Sequence, residues 1–370
     1  MPPKRESKGK VVATSSRPKQ RARRNPNAHG ILFEEPDHHE RYAILAQRRL
    51  IPTRYMCDAT LDELGLKEEV HRMFHNIGML EFMQFEAPTF VRITLEFFST
   101  VEFKMRRKWT GSEMEFYGKL TFRLFDEDHE LSMEELGGIL RLPVSGPEAP
   151  PDTFSAVDFW MAITGKNGYN PSSGKASGIH NPCFRYAQKG LAYTLFGLGD
   201  STGVAAKREL FFLHCMANNA RVNATAFAAN HLKQVGYAST CEISVGGMIT
   251  QIADHFGYGR LLMEEPAVAG KTKIDMNTLV NQQMIVIMPK YYSLVIHNVE
   301  VLALPAPDSI SIANVANGVY AASAPSVGDN VQNDLDFSGD EMEENDRPKE
   351  KFVPPPQDSN RQGEGSSSMS

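Results

Sequence analysis

Apolar side chains recur at helical spacing along much of this 370-residue chain. Leu66, Val70, Met73, Phe74 and Ile77 share one helical face. Thr60 with Glu63 ahead of them has the form of a capping box, in which hydroxyl and carboxylate each satisfy one orphan backbone N–H. Gly78 is placed to end that helix. Ser132 and Glu135 repeat the signature before Leu136, Ile139 and Leu140, and Pro143 closes the segment. Between them Pro88 opens a stretch with Val91, Thr94, Leu95, Phe98 and Val101 on one face. Its Thr, Val and Phe content also suits a strand, and helix is the reading adopted. Three Ala/Leu/Phe-rich stretches, 191–196, 204–217 and 224–235, lie beside Gly or Asn breakers, and Val245, Met248, Ile249, Ile252 and Phe256 mark a further helical face.

Strand periodicity is confined to short runs. Leu120, Phe122 and Leu124 alternate with Thr121 and Arg123, and Asp126-Glu127-Asp128 supplies a turn. Two further strands are read at 284–288 and 292–301, separated by Pro289. The loops 143–152 and 165–178 are the best internal joints. These elements predict a mainly α fold with a few short strands: one globular body over 35–305, between a disordered arm (1–34) and a disordered tail (306–370). The ends lack the apolar surface that would offset the entropy of ordering them.

Charge sharpens that division. The formal net charge of −6 conceals nine Lys/Arg against one acid within residues 1–24, and twelve acids against four bases within 306–370. The arm is basic and the tail is acidic, rich in Pro and Ser. No run approaches the roughly 18 apolar residues of a membrane span, and no apolar leader follows Met1, so an intracellular protein without membrane partners is expected. The sequon Asn223-Ala224-Thr225 is then not expected to be glycosylated.

Catalytic patterns fail at specific positions. Gly270-Lys271-Thr272 ends like a phosphate-binding loop, but Glu265 stands where that loop needs its first glycine, and a carboxylate there would repel phosphate. Gly197 and Gly199 begin a dinucleotide pattern that Thr202 breaks. His71 and His75 would share a helix face as two zinc ligands must, yet Arg72 occupies the general-base position. Cys183 and Cys215 neighbour His180 and His214 only in sequence, and buried cysteine is the commoner role. Carboxylates that meet only in space could still hold Mg2+ for a nuclease. No catalytic, cofactor-binding or metal residue is therefore predicted, nor any small-molecule ligand.

Two basic clusters remain. Arg17, Lys19, Arg21, Arg23 and Arg24 suit phosphate contact or nuclear import, with a solvated tail as the plain alternative. Lys104, Arg106, Arg107 and Lys108 run into Trp109, mixing charge with a stacking surface for single-stranded nucleic acid. The preferred reading of that second patch is plainer: Trp109 in the core, with the bases as its solvated flank.

A series of strings, in order, resembles the first-open-reading-frame protein of Athila-type plant retrotransposons, in the Gypsy class, and the related plant transposon protein domain. They are Thr94-Leu95-Glu96-Phe97-Phe98-Ser99-Thr100, Leu120-Thr121-Phe122-Arg123-Leu124, Leu131-Ser132-Met133-Glu134-Glu135-Leu136-Gly137 and Leu142-Pro143, then Phe159-Trp160, Ile179-His180-Asn181-Pro182 and Arg208-Glu209-Leu210. The resemblance covers about 40–290 and implies a mobile-element origin with a packaging or accessory role. It carries no assigned activity. No Cys-x2-Cys-x4-His-x4-Cys knuckle is present, Asp200-Ser201 is followed by Thr202 where an aspartic protease needs Gly, and there is no Tyr-x-Asp-Asp polymerase motif. The expectation is a non-enzymatic nuclear element protein, structural or nucleic-acid-associated, with non-specific nucleic acid, bound through the arm, and further copies of itself as its partners. The rivals are a host-type nuclear protein-interaction module and a metal-dependent nuclease or transposase.

Overall fold

The computed structural model describes residues 28–110, 113–199 and 201–312, and for 105–110 and 113–117 the backbone alone. Over these residues the chain runs through α1 (Pro36–Leu45), α2 (Asp58–Leu64), α3 (Lys67–Asn76), α4 (Leu80–Gln84) and α5 (Val91–Thr100) into an antiparallel sheet of β1 (Glu102–Thr110), β2 (Glu113–Leu124) and β3 (Glu127–Ser132). There follow α6 (Met133–Leu140), α7 (Ala156–Thr164), α8 (Pro182–Gly190), α9 (Lys207–Asn218), α10 (Ala224–Tyr237), α11 (Gly246–His255), α12 (Gly259–Leu262) and α13 (Met276–Asn281). A second antiparallel sheet of β4 (Ile285–Ile287), β5 (Tyr292–Ile296) and β6 (Val299–Leu304) ends the body. The fold is mainly helical with two small sheets around a single hydrophobic core, the expected class. Most of the basic arm and the tail beyond 312 lie outside the described residues.

Gly65 divides the helix that the apolar period joins. It takes φ 67°, its N–H bonds Asp62 O, and the following N–H of Leu66 reaches back to Leu61 O, so α2 closes and α3 starts afresh at Lys67. Glycine accepts that left-handed turn because it has no Cβ to clash. The capping box expected at Thr60 is therefore absent. Thr60 sits inside α2, buried, with its hydroxyl turned to Cys57 Sγ at 3.3 Å. The apolar face itself is as read: Leu66, Val70, Met73, Phe74 and Ile77 are all in the core. The Ser132 box forms in full, with Glu135 N–H donating to Ser132 Oγ at 3.1 Å and Ser132 N–H to Glu135 Oε2 at 2.8 Å.

The stretch after Pro88 is helical, and α5 is buried from Ile93 to Thr100 on every side. Burial all round requires that its hydroxyls find partners within the helix. Ser99 donates to Leu95 O at 2.6 Å and Thr100 to Glu96 O at 2.8 Å. α1, β2, α10 and α11 pack around this helix, which makes it the axis of the N-terminal half.

Both sheets correct the strand reading. The β2–β3 turn is Phe125-Asp126, both at positive φ (51° and 67°), while Glu127 and Asp128 pair with Leu124 and Arg123 inside β3. The strand expected over 292–301 folds back at His297-Asn298 (φ 49° and 63°) into two strands. Left-handed pairs of this kind match the twist of a hairpin, and nothing in residue spacing marks them when glycine is not used. The stretch 191–196 is a π-helical turn continuing α8, not a separate helix. The sequence reading does not anticipate α1, α4, α7, α8, α12, α13, β1 or β3. At both ends the core passes the expected limits of 35 and 305, through Ile31 and Phe33 and through Ile310 and Ile312.

Candidate nucleic-acid interface

β2 spans twelve residues, but β3 pairs with only its second half, from Lys119 to Leu124. Beyond Lys119, β1 and β2 pair with each other alone as far as Thr110 and Glu113, forming a two-stranded ribbon. Its root is tightly held. Leu120, Phe122 and Leu124 are buried, Phe122 lies 4.9 Å from the Phe97 ring, and Arg123 N–H donates to Thr100 Oγ1 at 2.9 Å. The Arg123 guanidinium donates to Leu32 O and Asp126 O, and Arg41 holds Val101 O at 3.0 Å.

The pleat separates the run of bases that the sequence presents together. Successive strand residues alternate between faces, so Lys104, Arg106 and Lys108 take one face, opposite Lys119, Tyr117 and Glu115. Arg107 and Trp109 take the other, opposite Phe116 and Met114, in register with core residue Leu120. The expected cluster Lys104, Arg106, Arg107, Lys108 is thus split three to one. The side chains of Arg106 to Trp109 lie outside the described residues, so the core reading of Trp109 lies there too. Lys104 is exposed with Nζ 3.6 Å from Glu102, and Lys119 is paired with Glu130 at 2.6 Å. Residues 102–119 carry five bases against Glu102, Glu113 and Glu115. The excess is positive, and exposed pairs of this kind are weak enough to exchange for phosphate.

The ribbon's root has the opposite sign. A cleft of about 370 Å3 there is lined by Glu35, Glu102, Asp128 and Glu130 together with His38, His129 and Arg123. His129 is held by Tyr258 at 2.9 Å, and Tyr258 donates its proton to Glu127 at 2.8 Å, so the imidazole N–H must be the donor to the phenol oxygen. Burial lowers the pKa of His129 and keeps it neutral near pH 7. An acid-rich root repels phosphate and favours contact with the outer part of the ribbon.

Other candidates resolve into structural roles. Cys183 and Cys215 are buried. Burial drives the Cys183 thiol well above its ordinary range and the Cys215 thiol to about 12, so neither is a thiolate at neutral pH. His71 Nε2 pairs with Asp58 at 2.9 Å while His75 is exposed. Among the described residues no three His, Cys, Asp or Glu side chains converge as a metal site would need. Thr272 O accepts from Tyr55 N–H in an extended segment, and the next helix, α13, opens only at Met276, behind the acidic cap Asp275. Gly197 and Gly199 have φ of 45° and 56° in a loop where an added Cβ would strike Val245 or Glu242. Asn223 of the sequon caps α10 by accepting from Ala226 N–H at 3.0 Å. Among the described residues no helix is long and apolar enough to cross a membrane. Arg17, Lys19, Arg21, Arg23 and Arg24 lie outside the described residues. The sequence reading missed a second cleft, walled by the loop 165–178, because an irregular loop has no periodicity to show how it folds back on Trp160 and meets His297.

The body thus defines a mainly helical protein with a two-stranded ribbon that carries more bases than acids, and neither a curated protein nor a solved structure matches it. The sequence model of the ATHILA ORF-1 family matches residues 10–218, more than half of the chain, and takes in every string of the resemblance. The chain belongs to the ATHILA ORF-1 family and is a retrotransposon-derived protein.

Proposed function

We propose that the chain is a non-enzymatic structural protein of a plant retroelement that coats or accompanies nucleic acid without reading its sequence. The observation that carries this is the register of the ribbon, which sets Lys104, Arg106 and Lys108 on one face with Lys119 at the junction with β3, against Glu102, Glu113 and Glu115 on the same face, and leaves Arg107 on the other. A two-stranded ribbon offers a row of charges at about 6.6 to 6.8 Å intervals per face, the repeat of alternate strand residues. That row can meet successive phosphates of a flexible single strand. The basic arm, Arg17, Lys19, Arg21, Arg23 and Arg24, adds charge on the same chain and serves as the nuclear-import signal. Self-association along a coated strand belongs to the same reading. The buried, protonated Cys183 and Cys215 favour it over thiol catalysis.

Fluorescence anisotropy with a labelled single-stranded RNA and a duplex DNA of equal length tests it. Full-length protein should bind several unrelated sequences with similar affinity, and Arg106→Glu with Lys108→Glu should weaken all of them alike. Mg2+-dependent cleavage of the probe would replace this reading with the nuclease. Defined protein partners without any nucleic-acid shift would replace it with the protein-interaction module.

A further inference from the structure

The loop 165–178 folds against α7 and against the β5–β6 turn to enclose a cleft of about 410 Å3, within the range of small-ligand sites. Lys166 and Lys175 reach it from the loop, His297 from the turn, and Trp160 with Tyr169 forms an aromatic wall, their rings 5.5 Å apart. Neither Asp nor Glu is among the lining residues.

Lys166 and Lys175 bring positive charge to the cleft, and among the described residues neither is ion-paired to a carboxylate. His297 loses basicity through burial and through the nearby Lys166 and Arg185, and His180 through burial, His297 and Lys166. His180 Nδ1 is buried with no hydrogen-bond partner among the described residues. Converging cations without a counter-charge cost free energy that a bound anion recovers.

The loop is built rather than loose. Gly174 N–H and Ser173 N–H both bond Asn170 O, at 2.8 and 3.1 Å, and Asn170 Oδ1 takes Ser172 N–H at 2.9 Å. A Cβ at Gly174 would stand 2.9 Å from Tyr169 Cε2, so the backbone approaches the ring as only glycine allows. Lys175 pairs with Val204 in an isolated antiparallel bridge, and Tyr169 Oη donates to Ala205 O at 2.8 Å, which fixes both flanks of the cleft.

We infer that this cleft binds a nucleotide-sized phosphate ligand, its phosphate between Lys166, Lys175 and His297 and its base or sugar against Tyr169. The two exposed lysines supply charge-assisted donors to phosphate, His297 supplies an imidazole N–H, and the aromatic wall supplies a face for a base. The ligand is either a free nucleotide or the terminal nucleotide of a strand. The inference is independent of the arm and the ribbon, which lie on other elements.

Trp160 is the reporter. The chain has two tryptophans, so Trp109→Phe leaves Trp160 as the single indole. Titration of that full-length variant with adenosine 5′-monophosphate should give a saturable change in emission below about 1 mM. Inorganic phosphate should reverse it, and adenosine should give none. Lys166→Glu with Lys175→Glu should weaken binding at least about tenfold, and because both lysines are exposed this variant should keep the wild-type circular dichroism. Lys166→Gln with Lys175→Gln provides the same test without charge reversal. A dodecamer bound more tightly with a 5′-phosphate than with a 5′-hydroxyl identifies the strand terminus as the source. A response to the mononucleotide but to neither dodecamer identifies the free nucleotide. No saturable response to any phosphate probe, equal binding of adenosine, or affinity unchanged in both lysine variants overturns the inference.

Discussion

Glu96 Oε1 accepts the backbone N–H of Asp126 at 2.7 Å, from the middle of a helix thirty residues earlier in the chain. Its other oxygen accepts Phe125 N–H at 2.8 Å, so one buried carboxylate satisfies both central amides of the β2–β3 turn. Those residues have positive φ without being glycine, a conformation that costs free energy and needs support from its surroundings. Burial raises the pKa of Glu96, while the two backbone bonds and Arg92 act against that. Glu96→Ala should therefore destabilise the protein by about 1–3 kcal/mol, because two partly buried donors lose their acceptor. Glu96→Gln, which keeps one acceptor oxygen, should cost less. Urea denaturation of both variants decides this, and an alanine variant within about 0.5 kcal/mol of wild type would refute the anchoring role.

His231 should make the protein acid-labile. It lies buried beside Phe196 with neither ring nitrogen hydrogen-bonded among the described residues, and burial, then Arg208 and Arg48, lower its pKa from 6.5 to about 3. Between those values the unfolded chain takes up a proton that the folded chain refuses, so stability is full above pH 6.5 and falls as pH drops towards 3. The loss across the window is on the order of a few kcal/mol. His231→Phe should flatten the fall between pH 6.5 and 4.5 in thermal melts. An unchanged slope in the variant would assign acid sensitivity elsewhere.

Asn181 performs two tasks that substitutions can separate. Its Oδ1 caps α8 by accepting from Cys183 N–H at 2.8 Å and Phe184 N–H at 3.2 Å, while Nδ2 donates to Ile310 O at 2.8 Å. Asn181→Ala loses both and should cost about 1–3 kcal/mol. Asn181→Asp retains the cap and loses the tie, so amide exchange should quicken around Ile310 and leave the start of α8 protected. Equal exposure of both segments in the Asp variant would contradict the division of labour.

Nucleic-acid affinity should depend steeply on salt. If about six charges of the arm meet phosphates, log affinity for duplex DNA should fall against log salt with a slope on the order of −5, and less steeply for single strands. Deleting residues 1–27 should flatten the slope for every sequence alike. Deleting 329–350, which carries most of the tail's acids, should raise affinity at low salt and matter little at high salt, where screening shortens the reach of both charges. A single sequence favoured by a large factor would mean base reading by the folded body.

The sequence by itself determined the helical class, the buried faces of α3, α6 and α11, the Ser132 capping box and the breaks at Gly78 and Pro143. Each rests on contacts between residues within a few positions of one another, and such contacts write their period directly into the order of side chains. The family, too, was legible in strings of neighbouring residues. Tertiary structure alone decided that Gly65 breaks a helix, that Phe125-Asp126 and His297-Asn298 are the turns, and that the bases from Lys104 to Lys108 divide between two faces. Gly65 takes its left-handed turn packed against Pro305, and the Phe125 turn is held by Glu96, partners far away in sequence. The cleft at Lys166 was illegible for a different reason, because an irregular loop carries no period that tells how it closes. All its lining but His297 comes from 160–178, and only the closed fold decides that this loop turns back on Trp160 and that the distant His297 completes the wall.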